Sequence, residues 1–140
     1  MKRRVTGVGG IFFKAKDDVK ALNAWYEKHL GIDYASSGGY PFWEWRPMED
    51  PTRKGATVFS IFSKESTYFG NPEQQFMFNL RVEDLSGLIA VLRSEGVEIS
   101  GEIQEFSYGK FAWIIDPDGN KIELWESAGD PEFPGGMPMY

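Results

Sequence analysis

The amino-acid sequence predicts an α+β fold: two tandem βαβββ modules forming a curled eight-stranded mixed sheet around a cavity, with one main helix per module. Three observations lead there. A strand-like run followed by an acid-opened, glycine-closed helix occurs twice. Short runs rich in aromatic and β-branched residues follow each helix, and the spacing of these features nearly repeats between the halves.

The first half opens at Val8 with an apolar extended run, G-G-I-F-F-K-A-K. Asp17-Asp18 then supplies an N-cap and acidic first turn for a helix carrying Val19, Leu22, Trp25, Tyr26 and Leu30 on one stripe, ended by Gly31. Strands are predicted at 40–46 and 56–62, joined by a polar turn through Pro51 and Gly55, and 63–74 is a linker. The pattern then restarts. Gln75 to Val82 reads as a strand, Glu83-Asp84 opens a helix with Leu85, Leu88, Ile89 and Leu92, and Gly96 closes it. Strands follow at 97–100, 104–106, 111–115 and 121–125. Asp17 to Gly31 spans 14 positions and Asp84 to Gly96 spans 12; Gly31 to Ser60 spans 29 and Gly96 to Glu123 spans 27. Residues 1–126 are therefore read as a single domain, with module one at 7–62, the linker at 63–74 and module two at 75–126. Residues 127–140, rich in Pro and Gly, form a C-terminal arm.

The last two strands frame the best candidate for chemistry. In F-A-W-I-I-D-P-D-G-N-K-I-E-L-W-E, residues 111–126, Pro117 presets φ, Gly119 supplies a positive φ and Asp116 caps the turn, which makes a β-hairpin. Side chains alternate along a strand, so Lys121, Glu123 and Trp125 share one face while Ile122 and Leu124 share the other. With Ile122 and Leu124 packed on a helix, Glu123 looks into the space the sheet encloses.

Composition excludes several classes. There is no cysteine, hence no disulfide, thiolate zinc site or cysteine nucleophile, and a single histidine excludes any site needing two. A net charge of −6 with no basic run beyond Lys2, Arg3 and Arg4 argues against nucleic acid. No apolar stretch is long enough for a signal peptide or membrane span, so a cytoplasmic protein is expected. The lone His29 falls in the last turn of the first helix, where it suits the helix dipole as a surface residue.

The duplication, with W-Y-E-K-H-L-G-I at 25–32, N-L-R-V-E-D-L at 79–85 and D-P-D-G-N-K-I-E-L-W at 116–125, resembles the vicinal-oxygen-chelate superfamily, the glyoxalase, bleomycin-resistance and extradiol-dioxygenase fold. The resemblance runs from about residue 7 to 126 and implies a homodimer. Metal-containing members present one ligand from the first and last strand of each half. Here those positions fall on Gly10, Ser60, Met77 and Glu123, of which only Glu123 is a usual ligand, so no metal and no cofactor are expected.

The same register turns Phe12, Ser60, Phe62, Met77, Asn79, Arg81, Lys121 and Trp125 toward the cavity, with Tyr108 and Trp113 beside them as further ligand-binding candidates. From the third strand either Phe42, Glu44 and Arg46 or Trp43 and Trp45 join them. Aromatic walls with a few polar groups describe a small-molecule site. Three readings follow. In the leading one, implied by the resemblance, a planar or cationic ligand is sequestered, with Glu123 pairing a positive group. In the second, a glyoxalase-like lyase or isomerase, or a dioxygenase-related enzyme, uses Glu123 as general base or sole remaining metal ligand, with Arg81, Lys121 or Asn79 stabilising an oxyanion where it acts as base. In the third, Phe12, Phe62, Met77, Trp113 and Trp125 fill the cavity and the domain is an interaction module.

Overall fold

A computed structural model describes residues 4–129. The elements are β1 (Val5–Lys14), α1 (Val19–Leu30), β2 (Phe42–Trp45), β3 (Gly55–Phe62), β4 (Phe76–Val82), α2 (Leu85–Ser94), β5 (Glu98–Ile99), β6 (Gln104–Phe106), β7 (Gly109–Ile115) and β8 (Lys121–Ser127). They build one open, mixed, eight-stranded sheet in the order β2-β3-β1-β4-β8-β7-β5, with β6 also paired to β7. Of the proposed C-terminal arm, residues 130–140 lie outside the described residues.

The register carries the duplication. The halves meet where β1 and β4 run antiparallel, pairing Gly10 with Asn79 and Phe12 with Met77. Within each half the first and last strands are parallel, pairing Phe12 with Ser60 and Asn79 with Glu123. Gly10 and Met77 thus occupy equivalent places, as do Ser60 and Glu123. The eight strands divide three and five between the halves rather than four and four. After Gly31 the backbone of the first half satisfies its hydrogen bonds in local turns: Asp33 Oδ1 accepts the Ser36 N–H at 2.9 Å, and the Gly39 N–H donates to the Tyr34 carbonyl at 2.8 Å.

Both helices begin and end where their caps dictate. Asp18 Oδ1 accepts the N–H groups of Lys20 and Ala21, Asp84 Oδ1 accepts that of Gly87, and Gly31 turns left-handed at φ 69°. On the convex face α2 buries Leu85, Leu88 and Ile89 against Val82, Ala112 and Leu124. Full burial of each such side chain stabilises by roughly 1.5–3 kcal/mol. The α1 stripe is narrower than expected: Val19, Leu22 and Tyr26 pack on Phe13, Phe59 and Ile61, but Trp25 is 49% and Leu30 61% exposed. Trp25 lies about 100° around the helix from Tyr26, stands edge-on to it and meets exposed His29 at a tilt, and Leu30 occupies the last residue of the helix. The concave face holds a third, aromatic core of Phe12, Ala56, Val58, Phe62, Phe69, Met77, Phe111 and Trp125. Among the described residues no helix is long and apolar enough to cross a membrane.

Candidate functional site around Glu123

The β7–β8 turn sets the site. Asp116 Oδ1 accepts the N–H groups of Asp118 and Asn120 at 2.9 and 2.8 Å, and its Oδ2 accepts Asn120 Nδ2 at 2.9 Å. This holds Trp113 opposite Glu123, with Ile122 and Leu124 turned to the α2 side. Asn79 of β4 flanks Glu123 on the other side.

The carboxyl group of Glu123 is 0% exposed. Its Oε1 accepts Asn79 Nδ2, and its Oε2 accepts Trp113 Nε1 at 2.9 Å and the Tyr68 hydroxyl. Tyr68 comes from the segment joining β3 to β4. Its ring stacks on Phe62, with centroids 5.7 Å apart, and stands edge-on to Trp113. The same segment is tied down by Gln74, whose Oε1 accepts the Lys121 N–H at 2.8 Å and whose Nε2 donates to the Lys121 carbonyl at 2.9 Å. Lys121 Nζ donates to the Tyr68 carbonyl at 2.9 Å and lies 5.4 Å from the Tyr68 ring and 5.7 Å from the Trp113 ring.

Burial dominates the electrostatics. Loss of water pushes the Glu123 carboxyl up to about 7, against the hydrogen bonds from Tyr68, Asn79 and Trp113 and the charge of Lys121, which favour the ionised form. Burial, then the nearby Glu123 charge, pushes the Tyr108 phenol up to about 12. Among the described residues, two buried polar atoms of the side chains that interact with this carboxyl have no hydrogen-bond partner: Asn79 Oδ1 and the Tyr108 hydroxyl. Such atoms are rare in folded interiors and call for an explanation.

The expected ligand-binding residues separate into groups. Asn79, Trp113 and Lys121 gather around Glu123, with Tyr108 close enough to feel its charge. Phe12, Phe62, Met77 and Trp125 pack into the aromatic core. Phe42 rather than Trp43 joins that core, since Trp43 stands edge-on to Phe59 on the opposite face. Ser60 opens into a separate cavity of about 280 Å³ with Tyr40 and Ser66. Arg81 stands over Trp125, 4.6 Å from its ring, and also reaches Trp45. Tyr68 was invisible to strand alternation because it sits in an aperiodic linker; the aromatic pair Tyr68-Phe69 inside a Gly- and Pro-bearing stretch was the available signal.

The residues at the four superfamily ligand positions, Gly10, Ser60, Met77 and Glu123, do not fit a divalent ion. They offer one carboxylate and no imidazole, and both oxygens of that carboxylate already accept protein hydrogen bonds. Among the described residues no group of three His, Cys, Asp or Glu side chains is placed to hold a metal.

Comparisons with known proteins agree with this architecture. The chain is 26% identical over 119 residues, 85% of its length and 97% of the relative's, to a Bacillus subtilis (strain 168) protein designated Uncharacterized protein YetH. The fold is similar to methylmalonyl-CoA epimerase from Mycobacterium tuberculosis, with a TM-score of 0.60, 19% identity, and 91% and 92% of the two chains covered. A glyoxalase/bleomycin resistance protein/dioxygenase superfamily member from Vibrio splendidus 12B01 aligns with a TM-score of 0.52, 11% identity, and 86% and 97% coverage. A match to the family profile spans residues 12–124, most of the chain, and with it the chain belongs to the Glyoxalase/Bleomycin resistance protein/Dioxygenase superfamily.

Proposed function

We propose that residues 1–126 form a cytoplasmic, homodimeric small-molecule-binding domain that works without a catalytic metal and sequesters a planar ligand in the aromatic cup around Glu123. One observation carries this reading: a wholly buried carboxylate is ringed by side-chain donors, and one of them, the Tyr68 hydroxyl, comes from the connection between β3 and β4 rather than from the sheet. A ligand donor is the group that would stand in its place. Phe12, Phe62 and Met77 pack as an apolar floor behind the carboxylate, with Tyr68 and Trp113 on its outer side. A planar ligand carrying a hydroxyl or N–H donor fits better than a cationic one, because Lys121 already lies against the faces of Tyr68 and Trp113. Such a donor would take the place of the Tyr68 phenol at Glu123 Oε2.

A second reading rests on the Glu123 carboxyl at about 7, the range suited to a general base at neutral pH. A screen of planar hydroxyaromatic compounds by tryptophan fluorescence, followed by recovery of the compound and analysis of metal content, separates the two. Sequestration predicts quenching that is lost in Trp113→Ala, strengthened in Tyr68→Phe, and a compound recovered unchanged. Metal-free turnover that collapses in Glu123→Gln while binding survives would establish the catalytic reading, and a stoichiometric divalent ion lost in Glu123→Ala would overturn both.

A further inference from the structure

A second cavity, of about 450 Å³, opens at the far end of the sheet from the β7–β8 turn, between the β2–β3 connection, the start of β1 and the end of β8. Its floor is Arg81. That side chain is only 7% exposed, and among the described residues its buried Nη1 has no hydrogen-bond partner and no carboxylate pairs with the guanidinium. Burial, reinforced by neighbouring Arg53, pulls its pKa down to about 10, the sign of a cation without a counter-charge. A buried, uncompensated charge is costly, and proteins seldom keep one that nothing occupies.

The surroundings are built for this guanidinium. Its carbon lies 4.6 Å from the Trp125 ring and 5.9 Å from the Trp45 ring, so two indole faces flank it. Trp45 is locked in turn: its Nε1 donates to Thr57 Oγ1 at 2.9 Å, and its ring lies where a Cβ on either Gly7 or Gly55 would come within 2.5 Å. Gly9 leaves the space that Arg81 Cγ fills, since a Cβ there would approach it to 2.8 Å. Three glycines therefore make room for one arginine and its aromatic wall.

The rim selects the charge of the occupant. Glu83 is engaged by Arg53 at 2.5 Å, Glu126 Oε1 accepts the Leu85 N–H at 2.8 Å, and Asp50 Oδ1 accepts the Thr52 hydroxyl at 2.5 Å; Glu49 completes the acidic side, and Lys54 is the rim's other cation beside Arg53, leaving the carboxylates in the majority. These carboxylates disfavour a doubly charged phosphate. A monoanion satisfies Arg81 at less cost, and a planar carboxylate matches both the guanidinium fork and the Trp45 face. We propose that this cavity is a second binding site, independent of the Glu123 cup, that takes a flat organic carboxylate through Arg81.

The test is a titration of ¹⁵N-labelled protein with sodium benzoate, benzamide or inorganic phosphate, read at the tryptophan indole N–H signals. Benzoate is expected to shift Trp45 and Trp125 saturably, to do so equally in Glu123→Gln, and to bind at least about tenfold more tightly than benzamide or phosphate. Arg81→Met should lose the benzoate response while its thermal midpoint stays level or rises, because an unpaired buried cation is gone. If that variant does not fold, Arg81→Lys, which keeps charge but loses the fork, should weaken benzoate about tenfold. An absent Trp45 response, equal binding of benzamide or phosphate, or unchanged benzoate binding in either arginine variant would overturn the assignment.

Discussion

Replacing Glu123 by Gln keeps the shape of the side chain and removes its titration. In the folded protein the carboxyl sits at about 7 against an ordinary value of 4.5, so the folded state binds the proton more tightly than the unfolded chain. The corresponding stabilisation is fully present below pH 4.5, falls as pH rises toward 7, and is gone above it. The difference corresponds to about 3 kcal/mol across that window, a large share of a small domain's stability. The paired carboxylates act in the opposite direction and elsewhere. Hydrogen bonds from the Asn120 side chain and backbone hold Asp116 below its ordinary value, and the Arg4 guanidinium does the same for Glu95, so their contribution is lost only on acidification through and below the ordinary carboxylate range. Urea unfolding at closely spaced pH values from 5 to 8.5, with wild type and Glu123→Gln in parallel, isolates the term. Wild type is expected to weaken with rising pH relative to the variant, which keeps the amide counterpart of the buried carboxyl throughout. A constant difference between the two across this range would refute the buried-carboxyl argument.

Three further outcomes are expected. Gly9→Ala should lower stability by roughly 1–3 kcal/mol in urea unfolding, because its Cβ would lie 2.2 Å from Asn79 Oδ1 and 3.1 Å from the Trp125 ring. Leu88→Ala should cost about 2–5 kcal/mol, since Leu88 is buried between α2 and the sheet, whereas Leu30→Ala, on an exposed side chain, should stay within about 0.5 kcal/mol. Glu95→Ala should change the midpoint little, about 0–1 kcal/mol, because the Arg4–Glu95 pair at 2.7 Å is solvent-exposed on both sides.

Much of the fold was readable from residue order because the chain repeats its signals. Aspartates open both helices and glycines follow both, and the hairpin around Asp116 carries its own turn chemistry, so the alternation that points Glu123 inward is a local inference. The superfamily profile and the sheet agree with that reading. What was not readable depends on distance in space. Nothing local says that Tyr68, 55 residues from Glu123, caps its carboxylate, or that Trp45 lies across Gly7 and Gly55. Ser60 shares the register of Glu123 yet opens into a different cavity, because Ser66 arrives from the aperiodic linker and Tyr40, expected at the head of a strand, lies just before β2. The α1 stripe failed at Trp25 because a helical pattern reports where apolar residues fall, not how wide a strip the sheet beneath covers.

The strand order also governs how this aromatic-rich chain stays out of aggregates. The runs most prone to cross-β stacking lie in the interior strands β1, β4 and β7, and the ladders are two-sided over residues 10–13 of β1 and 79–81 of β4. The sheet's edges are short, β2 of four residues, β5 of two and β6 of three, and offer little template to a second chain. Over those two-sided spans a second chain can add a strand only after a neighbouring strand has come away, so adhesion there waits on loss of sheet pairing.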